Sequence, residues 1–243
     1  HERGQLPGAL LFQHPAIHVL ALPRTVVVER NGLRLAISGF PFQRHGSTAA
    51  FPALLEETRW HEIQADVRIL AVHQMFDGAV VGPSGFCFRA GPDVIPLTLI
   101  PPEFDHVAAG HVHPHQVLRH PTPGGPDVVY AGSTERMSTM EAGETKGVVL
   151  GEAVPGKVRW RFEPLPARPL HVIRAIVATD DDLTAVSRRV RTLMDQANSE
   201  DMIHVSLRDP QGRCTGQLDA WKRDGQRFKK FTVRQRRQES SSG

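Results

Sequence analysis

The stretch FDHVAAGHVH, residues 104–113, places a short apolar run directly before two histidines that are separated by one residue. A second stretch, ADVRILAVHQ at 65–74, is also an apolar run that ends at a histidine, His73. Runs of this length are typical of strands buried within a sheet. Because parallel sheets of α/β proteins present their sites at the carboxyl ends of strands, His73 and His111 are expected at one edge of an α/β fold.

The segments around these runs have the patterns of strands and helices. Asn31-Gly32 lies between two β-prone runs and predicts a hairpin at 25–40. Periodicity further predicts a helix at 51–63 and strands at 127–133, 146–153 and 156–164. Prolines at 164–171 indicate a linker, and a strand at 170–178, a helix at 180–197 and a strand at 202–208 then predict a small βαβ unit.

Composition narrows the class of protein. The 243 residues are 40% apolar and 23% charged, which is ordinary for a globular chain. The two cysteines, Cys87 and Cys214, are too few and too far apart for a disulfide framework or a cysteine-based zinc knuckle, and they fit a reducing compartment. The sequence contains no run of about 18 apolar residues, so no membrane span is predicted.

Charge is concentrated near the end of the sequence. The net charge is +3, yet residues 222–237 contain eight Lys or Arg and one Asp. A basic tail at 212–243 is therefore predicted, either as a contact for a polyanionic partner or as a solvated terminus. Three arginines of the 180–197 helix, Arg188, Arg189 and Arg191, likewise face either phosphates or solvent.

The histidines of 104–113 are candidate metal ligands. In an extended segment His111 and His113 project to the same side, and a neutral imidazole is a common nitrogen ligand of Zn, Fe or Mn. For His73 alone, a histidine satisfied at a strand end is the simpler interpretation, and for the His111–His113 pair both interpretations stay open. His115 is expected to turn away after Pro114. A β-lactamase-like site is disfavoured because 111–116 lacks the aspartate of H-x-H-x-D-H.

Several short stretches together resemble one known family. These are HE at 1–2, AVHQ at 71–74, GHVH at 110–113, AGSTERMS at 131–138 and ETKG at 144–147. With them the chain resembles the calcineurin-like metallophosphoesterases, and among these the SbcD-type subunits of DNA double-strand-break repair nucleases. The resemblance implies part of an α/β/β/α sandwich at 1–165 and a βαβ capping domain at 166–211. The family's Asp-x-His, its Gly-Asp and the Gly-Asn before its third-motif histidine are not in this sequence.

The resemblance also implies a site and a reaction. It implies that His73 and His111 bind one Mn²⁺, that His113 binds a second, and that His1 lies beside the scissile phosphate. Two such metals activate water and neutralise phosphate charge, which is what hydrolysis of a DNA phosphodiester requires. The implied activity is that of a metal-dependent exonuclease and endonuclease in DNA repair and recombination. Because the family's carboxylate ligands are missing, we expect this chain alone to be poorly active or inactive.

The resemblance implies partners as well, and other functions remain open. The implied partners are DNA, an SMC-like ATPase of the SbcC type and a second copy of the chain, in the cytoplasm at the nucleoid and away from membranes. One alternative is another phosphoesterase of the superfamily, acting on phosphoproteins or cyclic nucleotides. The others are a non-catalytic DNA-binding or scaffold subunit, and a mononuclear metal-binding module.

Overall fold

The computed structural model describes residues 17–178 and 180–236, and these form a mixed α/β structure. The strands are β1 (Arg24–Arg30), β2 (Leu33–Gly39), β3 (Val67–Val72), β4 (Val80–Val81), β5 (Phe86–Cys87), β6 (His106–Ala109), β7 (Gln116–Leu118), β8 (Val128–Tyr130), β9 (Gly147–Val154), β10 (Lys157–Pro164), β11 (Leu170–Ile176), β12 (Met202–Arg208) and β13 (Lys230–Arg236). The α-helices in these ranges are α1 (Ser47–Glu57), α2 (Leu183–Asp195) and α3 (Thr215–Asp224). Short 3-10 turns occupy Trp60–Glu62, Leu97–Leu99, Thr139–Glu141 and Gly225–Arg227.

The chain divides into two compact units. The first contains the described residues up to Thr134 together with Thr145–Pro166, and the second contains Glu135–Glu144 and the described residues from Ala167 onward. Residues 135–144 thus belong with the second unit, although the resemblance implied that they lie within a domain at 1–165.

A six-stranded sheet forms the first unit's centre, in the order β1-β2-β3-β6-β8-β7. Its four inner strands β2, β3, β6 and β8 run parallel, while β1 and β7 pair antiparallel at the two edges. The β1–β2 hairpin turns at Asn31 and Gly32, with φ of 52° and 75°, as the Asn-Gly sequence predicts. A separate hairpin, β9–β10, matches the two strands predicted at 146–164.

Helix α1 covers one face of this sheet and supplies much of its core. Phe51 and Leu55 are buried against Leu70 and Val107 of the sheet, in a cluster that also includes Phe76. The helix begins at Ser47, earlier than the predicted residue 51. It also ends earlier than the predicted residue 63, because Trp60–Glu62 forms a 3-10 turn after an Arg59 in the left-handed conformation. The predicted α/β class is confirmed, because α1 packs on a sheet whose inner strands run parallel.

The second unit is built on a three-stranded parallel sheet, β11-β12-β13, with α2 and α3 as crossovers. Strand β11, helix α2 and strand β12 confirm the predicted βαβ unit. The prediction of a tail from residue 212 is wrong for 212–236, because this segment folds as α3 and β13. Phe231 and Val233 alternate with exposed residues of β13 that are mostly basic, so the high charge of the segment obscured its strand pattern.

Candidate functional site

Three parallel neighbours, β2, β3 and β6, end at one edge of the larger sheet and place aromatic side chains there. Phe42 follows β2, His73 comes directly after β3, and His111 lies two residues beyond β6. The register pairs Val72 with Ala109, and the Gly110 amide donates a hydrogen bond of 2.9 Å to the Val72 carbonyl. The two predicted ligands His73 and His111 are therefore brought together by strand pairing.

The imidazoles of His73 and His111 lie edge to face. Their ring centroids are 5.2 Å apart and the ring planes meet at 78°. The Phe42 ring stacks on His111 at 5.0 Å and meets His73 edge-on at 5.6 Å. The phenyl ring therefore restricts the rotation of both imidazoles, which is what holding two nitrogen ligands in fixed directions requires.

The backbone at this edge is tightly constrained. His111 has φ of 88°, in the left-handed half of backbone space that few residues with a Cβ adopt. A Cβ added at Gly110 would lie 2.7 Å from His73 Nδ1, so only glycine leaves room for the His73 ring. Strain of this kind is usually found at functional positions, where it fixes a side chain in one direction.

His113 is held by the loop that follows β8. The Ser133 amide donates a hydrogen bond of 3.0 Å to the His113 carbonyl, and Gly132 has φ of 84°. A Cβ on Gly132 would lie 2.7 Å from the same His113 carbonyl oxygen. The buried Lys146 ammonium donates a 2.8 Å hydrogen bond to Ser133 Oγ. The Gly-Ser and Lys of the two family-like stretches thus support the His111–His113 loop.

Arg136, in the same family-like stretch, is part of the second unit and has a structural role there. Its guanidinium donates hydrogen bonds to the carbonyls of Ala167 and Glu144, at 3.3 and 2.8 Å. Its neighbour Glu135 forms an ion pair with Arg168 at 3.2 Å. Together these contacts fasten residues 135–144 to the segment that leads into β11.

The imidazoles of this edge favour their neutral forms. Burial, and then the positive charge of a protonated His73, lower the pKa of His111 to about 4. Desolvation by neighbouring protein atoms also lowers the pKa of His73, and His113 adds to this effect. A neutral imidazole offers a lone pair to a metal ion, so these histidines are ready to act as ligands at pH 7.

The described residues fit only part of a metal centre. Across 17–178 and 180–236, no group of three or more His, Cys, Asp or Glu side chains is arranged to hold a metal ion. The edge supplies nitrogen donors in His73, His111 and His113, without a carboxylate completing a set among the residues described. The chemistry of the donors suits Mn²⁺ or Zn²⁺, and a full shell requires further ligands.

The other histidines of the sequence cluster have structural roles. His115 shares a 2.8 Å hydrogen bond with the Tyr130 carbonyl and stacks on Phe162 at 4.1 Å, so its ring is held by protein contacts. His120 shares a 3.0 Å hydrogen bond with the Leu97 carbonyl, and His106 is buried at the start of β6. The catalytic candidate His1 lies outside the described residues, as does His14.

Two residues that sequence reasoning missed position His73 and its loop. Tyr130 is buried, donates a 2.8 Å hydrogen bond to the Gln74 carbonyl and accepts one of 2.9 Å from the Phe76 amide. Its burial raises its pKa well above the ordinary range, so the phenol stays protonated. Phe42 is the second. No local pattern marks either residue, although Tyr130 ends a strand that pairs with the one leading to His111.

Comparison with known proteins shows that the chain is similar to a nuclease subunit. The chain is 33% identical over 162 residues to the D subunit of the nuclease SbcCD from Rhodobacter capsulatus, a match that covers 64% of this chain and 38% of that protein. This match supports, at a coarse level, a relationship of the chain to nucleases of the metallophosphoesterase type. The chain spans little more than a third of the length of this curated relative.

A solved structure of a hypothetical protein from Thermus thermophilus aligns with a TM-score of 0.38 and 15% identity, over 65% of this chain and 71% of that one. No family model matches the chain. Within the described part of the chain, no helix is both long and apolar enough to cross a membrane.

Proposed function

We propose that this chain is part of a metal-dependent DNA phosphodiesterase that acts as an exonuclease and endonuclease in DNA repair. One observation carries the proposal: His73 and His111 meet at the carboxyl ends of adjacent parallel strands, with His111 in a strained backbone conformation. The 33% identity to a nuclease subunit supports the choice of DNA as substrate. The name of that relative, one lettered subunit of the nuclease SbcCD, supports a partner subunit, which we propose is an SMC-like ATPase.

We further propose how the residues divide their roles. His73 and His111 would hold one Mn²⁺ and His113 a second, while His1 would lie beside the scissile phosphate and protonate the leaving oxygen. The metals, when bound, supply an activated water and positive charge against the phosphate oxygens. A homodimer and a place at the nucleoid remain part of the proposal.

The chain's own residues prepare this chemistry by orientation. Gly110 allows the His73 ring to lie against the backbone, and Phe42 restricts both imidazoles from the side. Tyr130 fixes the loop that begins at His73 through two hydrogen bonds. Groups that orient metal ligands in this way typically affect metal affinity or activity by about 10–100-fold.

The decisive experiment uses the complete polypeptide encoded by the gene that contains this sequence. A 5′-labelled DNA duplex is incubated with Mn²⁺, and cleavage rates are compared for the unmodified protein and for His111→Gln. We expect a loss of about 100-fold or more, since removing a ligand should exceed the effect of an orienting group. The control is His45→Gln, which removes an exposed imidazole in the same unit.

Three results would contradict the proposal in different ways. Cleavage of a phosphopeptide or a cyclic nucleotide with intact DNA would indicate another phosphoesterase. DNA binding with no hydrolysis of any phosphoester would indicate a scaffold subunit. Tight binding of a single Mn²⁺ or Zn²⁺ by residues 1–243, with no hydrolysis by the complete polypeptide, would indicate a mononuclear metal-binding module.

A further inference from the structure

The parallel sheet of the second unit has one covered face and one open face. Ile173, Val205 and Leu207 point to the side where α2 and α3 pack, and all three are buried. Burial alternates along β13 and along the later parts of β11 and β12, from Ile173 and Ile203 onward, so the residues between the buried ones lie on the opposite face. Both crossover helices pack on one side, so neither of them covers the opposite face.

The open face is strongly basic. Its cationic residues, all exposed, are Arg174, Arg208, Lys230, Arg234 and Arg236. The strand register sets Arg174, Ser206 and Arg234 in one row across the sheet and Ile176, Arg208 and Arg236 in the next. Within these three strands, no Asp or Glu lies on this face. Like charges on adjacent strands destabilise a sheet, so the arrangement needs an explanation outside folding.

The four arginines of the open face are available for an external partner. Among the described residues, none of these arginines makes an ion pair or a side-chain hydrogen bond. They line a groove of about 370 Å³, together with His204, Ser206 and Thr139. The His204 imidazole shares a 2.7 Å hydrogen bond with Thr232 Oγ1 in the same row. Burial, and then the charge of Arg234, lower the pKa of His204, which agrees with a guanidinium close to that ring.

We infer that this open face binds the phosphate backbone of a nucleic acid, as a site separate from the histidine edge. Neighbouring strands lie about 4.8 Å apart, and successive rows lie about 6.6 Å apart along the strands. The guanidinium groups therefore form a two-dimensional array. Each guanidinium can hold a phosphate through two parallel hydrogen bonds. The choice of DNA as the nucleic acid rests on the proposed function.

The side chains of the face favour a phosphate backbone over an acidic peptide or a membrane. The Ser206 hydroxyl lies between Arg174 and Arg234, and the Thr232 hydroxyl lies next to Arg234 on the same face of β13. Hydroxyls are frequent donors to phosphate oxygens. No Phe, Tyr or Trp of the three strands lies on this face, so bases cannot stack there and binding should be independent of sequence. An acidic peptide normally also needs an apolar pocket or a free strand edge, and the rows here lie across the middle of the sheet.

Binding in EDTA tests this inference without any contribution from metal-dependent hydrolysis. The 243-residue chain is titrated into a labelled duplex of about two helical turns, and fluorescence anisotropy is measured over a range of salt concentrations. The test variant is R174Q/R234Q, and the control is R30Q/R159Q, which removes two exposed arginines of β1 and β10. Equal melting temperatures establish that both variants are folded.

If both guanidiniums contact phosphates, the salt slope should fall by about 1.8, since each duplex contact contributes about 0.9. The same slope implies about 60-fold weaker binding at about 0.1 M salt, for two contacts of about 8-fold each. The control should retain the unmodified affinity within about twofold. Equal losses in the two variants would show a general charge effect and overturn the inference.

Other probes cover the remaining outcomes. Unchanged DNA binding in R174Q/R234Q overturns the inference, as does binding of poly-glutamate or of vesicles rich in anionic lipid as tightly as DNA. If the unmodified complete polypeptide binds DNA in EDTA but hydrolyses no DNA when Mn²⁺ is present, the proposed function is refuted and this inference stays intact. A weakened duplex affinity with intact hydrolysis of a small phosphodiester would support both.

Discussion

Gly110→Ala is the most direct test of how the ligand edge is built. The added methyl carbon would lie 2.7 Å from His73 Nδ1, whereas non-bonded carbon and nitrogen atoms pack at about 3.5 Å. The imidazole must therefore move by about 0.8 Å or rotate out of its well. Gly110 is not among the residues with positive φ, so alanine places no conformational strain on the backbone itself. The effect should thus fall on His73 and not on the fold.

The magnitude follows from that displacement. A misplacement of about 1 Å in a catalytic arrangement costs about 100-fold in rate, and loss of ligand orientation costs about 10–100-fold in metal affinity. We expect the complete polypeptide to lose DNA cleavage by about 30- to 100-fold. The free energy of unfolding should fall by only about 0.5–1.5 kcal/mol, the cost of an off-rotamer side chain.

Two measurements on the same variant check this reasoning. The first is the Mn²⁺-dependent cleavage rate, with Gly91→Ala as the control because its new Cβ would meet nothing closer than the Arg89 carbonyl at 3.8 Å. The second is an NMR titration of the His73 imidazole in the metal-free chain. Burial lowers the pKa of His73, so a ring displaced toward solvent should show a higher pKa. A variant with unchanged cleavage and an unchanged His73 pKa would refute the proposed packing.

Three further changes test the support around the edge. Gly132→Ala combines φ of 84° with a 2.7 Å approach to the His113 carbonyl, so urea unfolding should show a loss of roughly 1–3 kcal/mol, against almost none for Gly143→Ala, whose Cβ meets nothing within 4 Å. Tyr130→Phe leaves the Phe76 amide and the Gln74 carbonyl unpaired in the core, at about 2–4 kcal/mol in the same assay, and a loss below about 0.5 kcal/mol would count against this role. Burial lowers the pKa of His106, so the unfolded chain takes up its proton first; stability should be complete above about pH 6.5 and decline as the pH falls, and His106→Leu should flatten that part of the profile.

Much of the first unit could be predicted because its signals are local. The Asn-Gly turn marks the β1–β2 hairpin, and apolar runs mark β3 and β6 with a histidine at or just beyond each end. The pairing of those two strands was not local information, yet both runs pointed to the same edge because parallel strands share their carboxyl ends. His73 and His111 therefore followed from sequence, although their 5.2 Å separation did not.

The remaining features depend on contacts between distant residues. Phe42 lies 31 positions before His73 in a loop with no periodic pattern, so its stacking on His111 has no signal in the sequence. The second unit shows a different difficulty. Three of the four exposed alternate positions of β13 are positively charged, which matches the pattern of a tail as well as that of a strand with one open face. Only the register with β12 shows that these charges join Arg174 and Arg208 in two rows.

Both candidate surfaces are places where the chain departs from what stability alone would favour. His111 holds a left-handed conformation that glycine or asparagine would adopt more easily, and the open face sets Arg208 beside Arg236 with no carboxylate between them. A sequence free to optimise folding would remove each departure with one substitution. Departures of this kind are expected mainly where a ligand offsets their cost. A metal ion would do so for neutral imidazoles fixed in direction, and a phosphate backbone for adjacent guanidinium groups. The histidine edge is thus suited to a cation and the open face to an anion. Metal dependence therefore tests the first surface, and salt dependence tests the second.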